Sequence, residues 1–261
     1  MTIRREDPFD ILHDKKQTMK YLHLNTQYAN SADAVTPQWN LSKPIRVHRL
    51  GLLAANVPHS FYTISESLST SGGFKVQRSG SAAETIVMTP RIYTLSTLAA
   101  EIQTKVRASD GAWSAFTCVA DLTTLKLTMS FGSLWNAQIS DPRYAFLFGL
   151  ADGTNNPSFN VLTSVNACSL ATSCLYLTSK EVGTRFGPSP IGNGRQPSAT
   201  FVISNNVDAG SEINWSAKEY DQTISYQDPV VLQQITMEIR DSHGFQLDTN
   251  GLHWNLTIAY E

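Results

Sequence analysis

The chain is short of charge. Asp, Glu, Lys and Arg make up 16 % of its 261 residues, against roughly a quarter in ordinary globular proteins. The formal net charge is −2, so no basic excess exists to neutralise phosphates, and direct nucleic-acid binding is not expected. No run of about 18 apolar residues occurs, which predicts no transmembrane helix. The start, MTIRREDPFDILHDKK, is charged and has no apolar h-region, so it does not read as a secretory signal. The three cysteines, Cys118, Cys168 and Cys174, form no Cys-x-x-Cys pair and read as structural thiols of a reducing intracellular compartment.

Catalytic constellations are missing as well. His13, His23, His48, His59, His243 and His253 make no His-x-His or His-x-x-x-His, the spacings that bring two imidazoles to one metal. There is no Gly-x-Ser-x-Gly elbow and no phosphate-cradling glycine loop. Asp141 with Asp152, and Asp208 with Glu212, are carboxylate pairs of a kind found in most proteins. Asp152, Asn155 and Asn156 could meet a calcium ion but lack a second nearby carboxylate. No catalytic, cofactor-binding or metal-ligating residue is assigned, and the chain is not expected to be an enzyme. Glycosylation sequons at Asn40, Asn214 and Asn255 are read as chance in a chain without a secretory signal. Of Trp39, Trp113, Trp135, Trp215 and Trp254, only Trp135 and Trp215 lie among polar, loop-like neighbours where they could stack on a sugar. The others read as core or interface aromatics.

What fills the space is Ser, Thr, Asn, Gln and Gly between short apolar stretches at a two-residue step. Ile235, Met237 and Ile239 alternate with polar residues, and so do Leu252, Trp254, Leu256, Ile258 and Tyr260. The last run is read as a central strand pairing with partners far upstream. Between them lie turn signals at Asp241–Gly244 and Asp248–Gly251. Upstream, strands are expected at Tyr21–Tyr28, Thr36–Leu41 and Ile45–Asn56, with Pro44 separating the last two. Others are expected around Phe74 and Val76, and at Glu84–Met88, Ser114–Val119, Lys126–Phe131, Leu175–Leu177, Ala199–Ser204 and Gln222–Tyr226. One helix stands out over Arg91–Ala108, with Leu95, Leu98, Ile102 and Val106 on one face and Thr94 as N-cap. Arg185–Pro197, with three Pro and three Gly, reads as a long surface loop. About eight β segments outside the helical part predict a single jelly-roll β-sandwich carrying an inserted small α/β module. Residues 1–18 are expected to be a flexible arm, 19–81 and 160–261 the jelly roll, and 82–159 the module.

Two stretches carry a family resemblance. The first runs from Ile235 through Arg240-Asp241-x-x-Gly244 and Asn250-Gly251-Leu252 to Ile258. The second is Thr85–Leu150, with Tyr93, Leu98, Ile102, Leu127 and Phe146-Leu147-Phe148-Gly149. The step Pro58-His59-Ser60-Phe61 supports them. Together they resemble the penton and minor capsid jelly-roll proteins of double jelly-roll lineage DNA viruses: polinton-like viruses, virophages and their giant-virus relatives. One departure is Arg91-Ile92 before Tyr93, where that family carries a glycine. The resemblance implies a structural virion protein. It would form a homopentamer that closes the icosahedral vertices and contacts the major capsid protein. Its N-terminal arm would reach other minor capsid proteins. A cement protein, or a host-attachment jelly roll that binds carbohydrate, is the alternative.

Overall fold

The computed structural model describes residues 19–30, 35–150, 159–170, 172–183, 199–217 and 222–261. The expected N-terminal arm, the calcium candidate at Asp152, Asn155 and Asn156, and the loop Arg185–Pro197 lie outside the described residues. In chain order come β1 Lys20–Asn25, β2 Gln38–Pro58, α1 Glu66–Ser69, β3 Phe74–Arg78, β4 Glu84–Thr85, α2 Leu95–Ser109, β5 Thr117–Asp121 and β6 Lys126–Ile139. Then follow α3 Pro142–Phe148, β7 Phe159–Thr163, β8 Cys174–Thr178, β9 Phe201–Ser204, β10 Glu212–Ser216, β11 Thr223–Thr236, β12 Glu238–Arg240 and β13 Asn255–Tyr260.

The fold is mainly β. One sheet has the order β1-β13-β2-β10, with β13 on Leu50–Asn56 of β2 and β10 on Ala54–Pro58. The other begins with the first half of β2, which pairs with Val230–Thr236 of β11, and continues β12-β8-β9. Every ladder is antiparallel. Taking β2 as two segments and β11–β12 as one strand in passage, each sheet holds four segments in jelly-roll neighbour order. Between the sheets lie Val47, Leu50, Leu52, Leu175, Phe201, Ile235, Met237, Ile239, Leu256 and Ile258, all buried. Each such side chain contributes roughly 1.5–3 kcal/mol by leaving water.

The expected last strand is central: β13 lies between β1 and β2. Its alternation starts later than expected, because Leu252 is exposed and Trp254 is buried before the ladder begins. The run Ile235–Ile239 is not one strand of one sheet. It breaks at Met237, where the chain passes from the β2 ladder to the β8 ladder. All three apolar residues stay buried through the passage, which is why the sequence alternates without interruption. Pro44 does not end a strand. The ladder pairs Ile45 with Leu232 and Asn40 with Gln234, so residues 41–44 form a bulge. The missing proline N–H is asked for nowhere there.

The inserted unit has its own sheet, β4-β3-β6-β5 with β7 also on β6, covered by α2. Thr94 caps α2 by accepting from Thr97 N–H, and Thr97 Oγ1 accepts from Thr94 N–H in return. Leu95, Leu98, Ile102 and Val106 are buried on the sheet side. Two expectations change here, at Glu84–Met88 and at Trp135. β4 spans only Glu84–Thr85. The segment Pro142–Phe148 forms α3, which Asp141 caps and Pro142 opens. Trp135 is not in a loop but lies buried in β6, which runs fourteen residues. The boundaries at 82 and 159 also shift. Phe74–Arg78 ladders with β6, and Ile64, Leu68, Phe74 and Val76 belong to the second core. β7 and Leu170 extend that unit on the far side.

Candidate functional site

One end of each sequence motif meets the other at the seam between the two cores, where Phe146 faces the Asp241–Phe245 turn, while Tyr93, Leu98, Ile102 and Leu127 lie inside the second core. In the turn after β12, Asp241 Oδ1 accepts from His243 N–H and from Phe245 N–H, each at 2.8 Å. Arg240 Nη1 donates to Gly244 O at 2.8 Å, while its Nη2 holds Glu238 at 2.5 Å. Gly244 has φ 84°, a region open to glycine. Each residue of Arg-Asp-x-x-Gly is thus spent on fixing one turn. The following turn is tied to the Pro58-His59-Ser60 step. Asn250 Nδ2 donates to Ser60 O, and Ser60 Oγ donates to Thr249 O at 2.7 Å. The first turn carries His243 and Phe245 against α3 of the inserted unit. His243 stacks on Phe146 at 3.9 Å, and the Arg143 guanidinium lies 5.6 Å from the centre of the Phe245 ring.

These elements enclose a crevice of about 100 Å³ lined by Phe61, Tyr62, Phe146, His243, Phe245 and Asp248 among others. Its carboxylates are already engaged. Burial pushes the Asp241 carboxyl up, partly offset by the N–H groups of Phe245 and His243. Outside the crevice, burial would also raise Asp141, but Arg143, which lines it and binds Asp141 in a two-point pair, holds that carboxyl below its ordinary value. Asp248 Oδ1 accepts from Asn250 N–H at 2.8 Å. Groups committed to their own turns are poor general acids or bases.

The remaining candidates are dispersed. Asp141 caps α3, and Asp152 is outside the described residues. Glu212 lies at the start of β10, where it accepts from Asn56 Nδ2. His23 bonds Thr257, His253 bonds Thr26 and His59 bonds the Val207 carbonyl. Among the described residues no group of three His, Cys, Asp or Glu converges to hold a metal ion. Burial pushes the Cys118 thiol up to about 12, and all three cysteines are unpaired. Trp39, Trp113, Trp135 and Trp254 are buried, leaving Trp215 alone partly accessible. Among the described residues no helix is long and apolar enough to cross a membrane.

The outward face of the first sheet is the other unusual surface. The register places His23 and Asn25 of β1 beside Thr257 and Asn255 of β13, with Tyr21 beside the buried Ala259. Next come Ala54 and Asn56 of β2, then Asn214 and Ser216 of β10. One carboxylate, Glu212, stands at its border. Nothing in the sequence marked this face, because its residues come from four separate stretches.

No family model matches the chain, and no curated protein matches it. Among solved structures it is similar to the mavirus penton protein, in a selenomethionine-labelled crystal form. The two are 10 % identical, with a TM-score of 0.47, over 94 % of this chain and 99 % of that one.

Proposed function

We propose that this chain is a structural subunit of an icosahedral virion, a vertex protein of which five copies form a ring. The observation that carries the reading is the outward face of the first sheet, which bears amides and hydroxyls on β13, β2 and β10, Tyr21 and His23 on β1, and a single carboxylate, Glu212, at its border. Sheet faces turned to water ordinarily bear charge, and charge of one sign repels neighbouring copies. A face with so little charge avoids that. The convergence of the resembling motifs on one seam supports the same reading, since it fixes the inserted unit on the jelly roll as a rigid wedge. In this role area and shape complementarity supply the affinity, and no reaction is required.

The ring would meet the major capsid protein on its flank, and residues 1–18 would reach other minor capsid proteins. Three unpaired thiols suit assembly in a reducing intracellular compartment. Of the two tryptophans that could stack on a sugar, Trp135 is taken into the core of the inserted unit and Trp215 stays partly accessible.

Light scattering on the purified chain at two salt concentrations tests the proposal. A discrete five-chain species is expected at both. A chain that stays monomeric and binds glycans on an array would overturn it in favour of an attachment protein.

A further inference from the structure

A sheet edge is a row of unsatisfied N–H and C=O groups open to another strand. This fold closes several of its own edges with side chains or single residues. Asn30 caps the outer side of β2: its N–H donates to Gln38 O and its Oδ1 accepts from Asn40 N–H, both at 2.7 Å. Gln222 imitates a strand beside β9, accepting from Val202 N–H at 2.6 Å and donating to Val202 O. On the flank of β5, Gln103 Oε1 accepts from Cys118 N–H at 3.1 Å, and Arg107 Nε donates to Phe116 O at 2.7 Å.

The two edges of the first sheet have no comparable cap among the described residues. Thr26 N–H donates to Trp254 O, so alternate residues of β1 address β13, and Tyr21 and His23 address the open side. The bonds from His59 N–H to Ser211 O and from Ala217 N–H to Leu53 O set the odd residues of β10 toward β2. Glu212, Asn214 and Ser216 therefore address the open side.

These two edges fit each other. They are the outermost strands of one sheet and run antiparallel, through three successive antiparallel ladders. A copy rotated about an axis along the strands brings its β1 antiparallel to this copy's β10. With His23 set opposite Asn214, Tyr21 falls opposite Ser216 and Asn25 opposite Glu212, so the outward residues of both edges stay on one face. Tyr21 and Tyr28, at 57 % and 74 % exposure, stand beside β1 as aromatic anchors. We infer that copies of this chain join head to tail by pairing β1 of one with β10 of the next. Such a contact is heterologous, and it closes into a ring when the rotation allows. The inference rests on the ring proposed above and names its seam.

Sedimentation velocity of the full chain across a concentration series tests it, with thermal melting as the fold control. His23→Pro and Asn214→Pro each remove an outward N–H while leaving the ladder to β13 or β2 intact. Each is expected to weaken association about tenfold or more. A five-chain species unaffected by both proline substitutions overturns the edge pairing and leaves the vertex proposal standing. A wild-type chain that is monomeric at every concentration overturns the edge pairing too.

Discussion

The imidazole of His243 lies flat on the phenyl ring of Phe146, with centroids 3.9 Å apart and planes 12° from parallel. His243 belongs to a turn of the jelly roll, and Phe146 to α3 of the inserted unit. Phe245 stands 6.4 Å from the same phenyl ring, and Arg143 covers Phe245 while paired with Asp141. This small aromatic clasp ties two hydrophobic cores that otherwise pack separately.

Phe146→Ala removes the centre of the clasp and leaves both cores filled. A half-buried phenyl in ring contact is worth about 1–3 kcal/mol. Denaturant unfolding followed separately by tryptophan fluorescence and far-ultraviolet dichroism should show that loss, with the two probes no longer coincident. His243→Ala should act in the same direction by about half as much.

Gly149 ends α3 at φ 64°, and a Cβ there would come within 2.2 Å of Asn166 O. Both the backbone conformation and the space exclude a side chain. Gly149→Ala is expected to destabilise by about 2 kcal/mol or more. Gly111 has nothing within 4 Å of its would-be Cβ and no positive φ. Gly111→Ala should therefore stay within about 0.5 kcal/mol of wild type, and thermal melting of the pair separates the two cases.

How far the sequence discloses the molecule follows from which signals are local. The α2 helix was legible because its cap and its apolar face sit within one stretch. The Asp241–Gly244 turn was legible for the same reason. Local pattern misled where context overrode it. Pro44 reads as a stop, yet a bulge absorbs it. Trp135 has polar neighbours, yet a fourteen-residue strand carries it inward among Trp113 and Phe116. The sparsely charged sheet face and the side chains that close the edges were not legible. Asn30, Gln103 and Gln222 acquire their roles only from partners far along the chain.

Asp241 supplies an acceptor for two N–H groups of its turn, and an amide oxygen can do the same without a charge to bury. Burial raises its folded pKa above the unfolded value. The charged form therefore weakens the fold above that folded pKa, and the penalty is relieved as pH falls through it. Asp241→Asn should be as stable as wild type or more so near neutral pH, with its advantage fading on acidification. Asp241→Ala abandons two buried N–H groups and should lose about 1–3 kcal/mol. Urea unfolding of the three proteins at two pH values checks both signs.

Glu181 titrates in the opposite sense, and it acts where the chain changes sheets. Its Oε2 accepts from Thr236 N–H at 2.9 Å, from Thr236 Oγ1 at 2.6 Å and from Ser179 Oγ at 3.2 Å. Thr236 is the last residue of β11 before Met237 carries the chain across. Burial alone would raise this carboxyl, but the hydrogen bonds from Thr236 and Ser179 outweigh it and hold the folded pKa below its ordinary value. A depressed folded pKa means stability that is present above the unfolded pKa and lost as pH falls through the folded one. Glu181→Ala should lose about 1–3 kcal/mol near neutral pH. Glu181→Gln keeps one acceptor oxygen and should lose less. The gap between either variant and wild type should then narrow as urea titrations move from about pH 7 to about pH 3. A gap of constant width would show that Glu181 holds the crossover by its shape rather than by its charge.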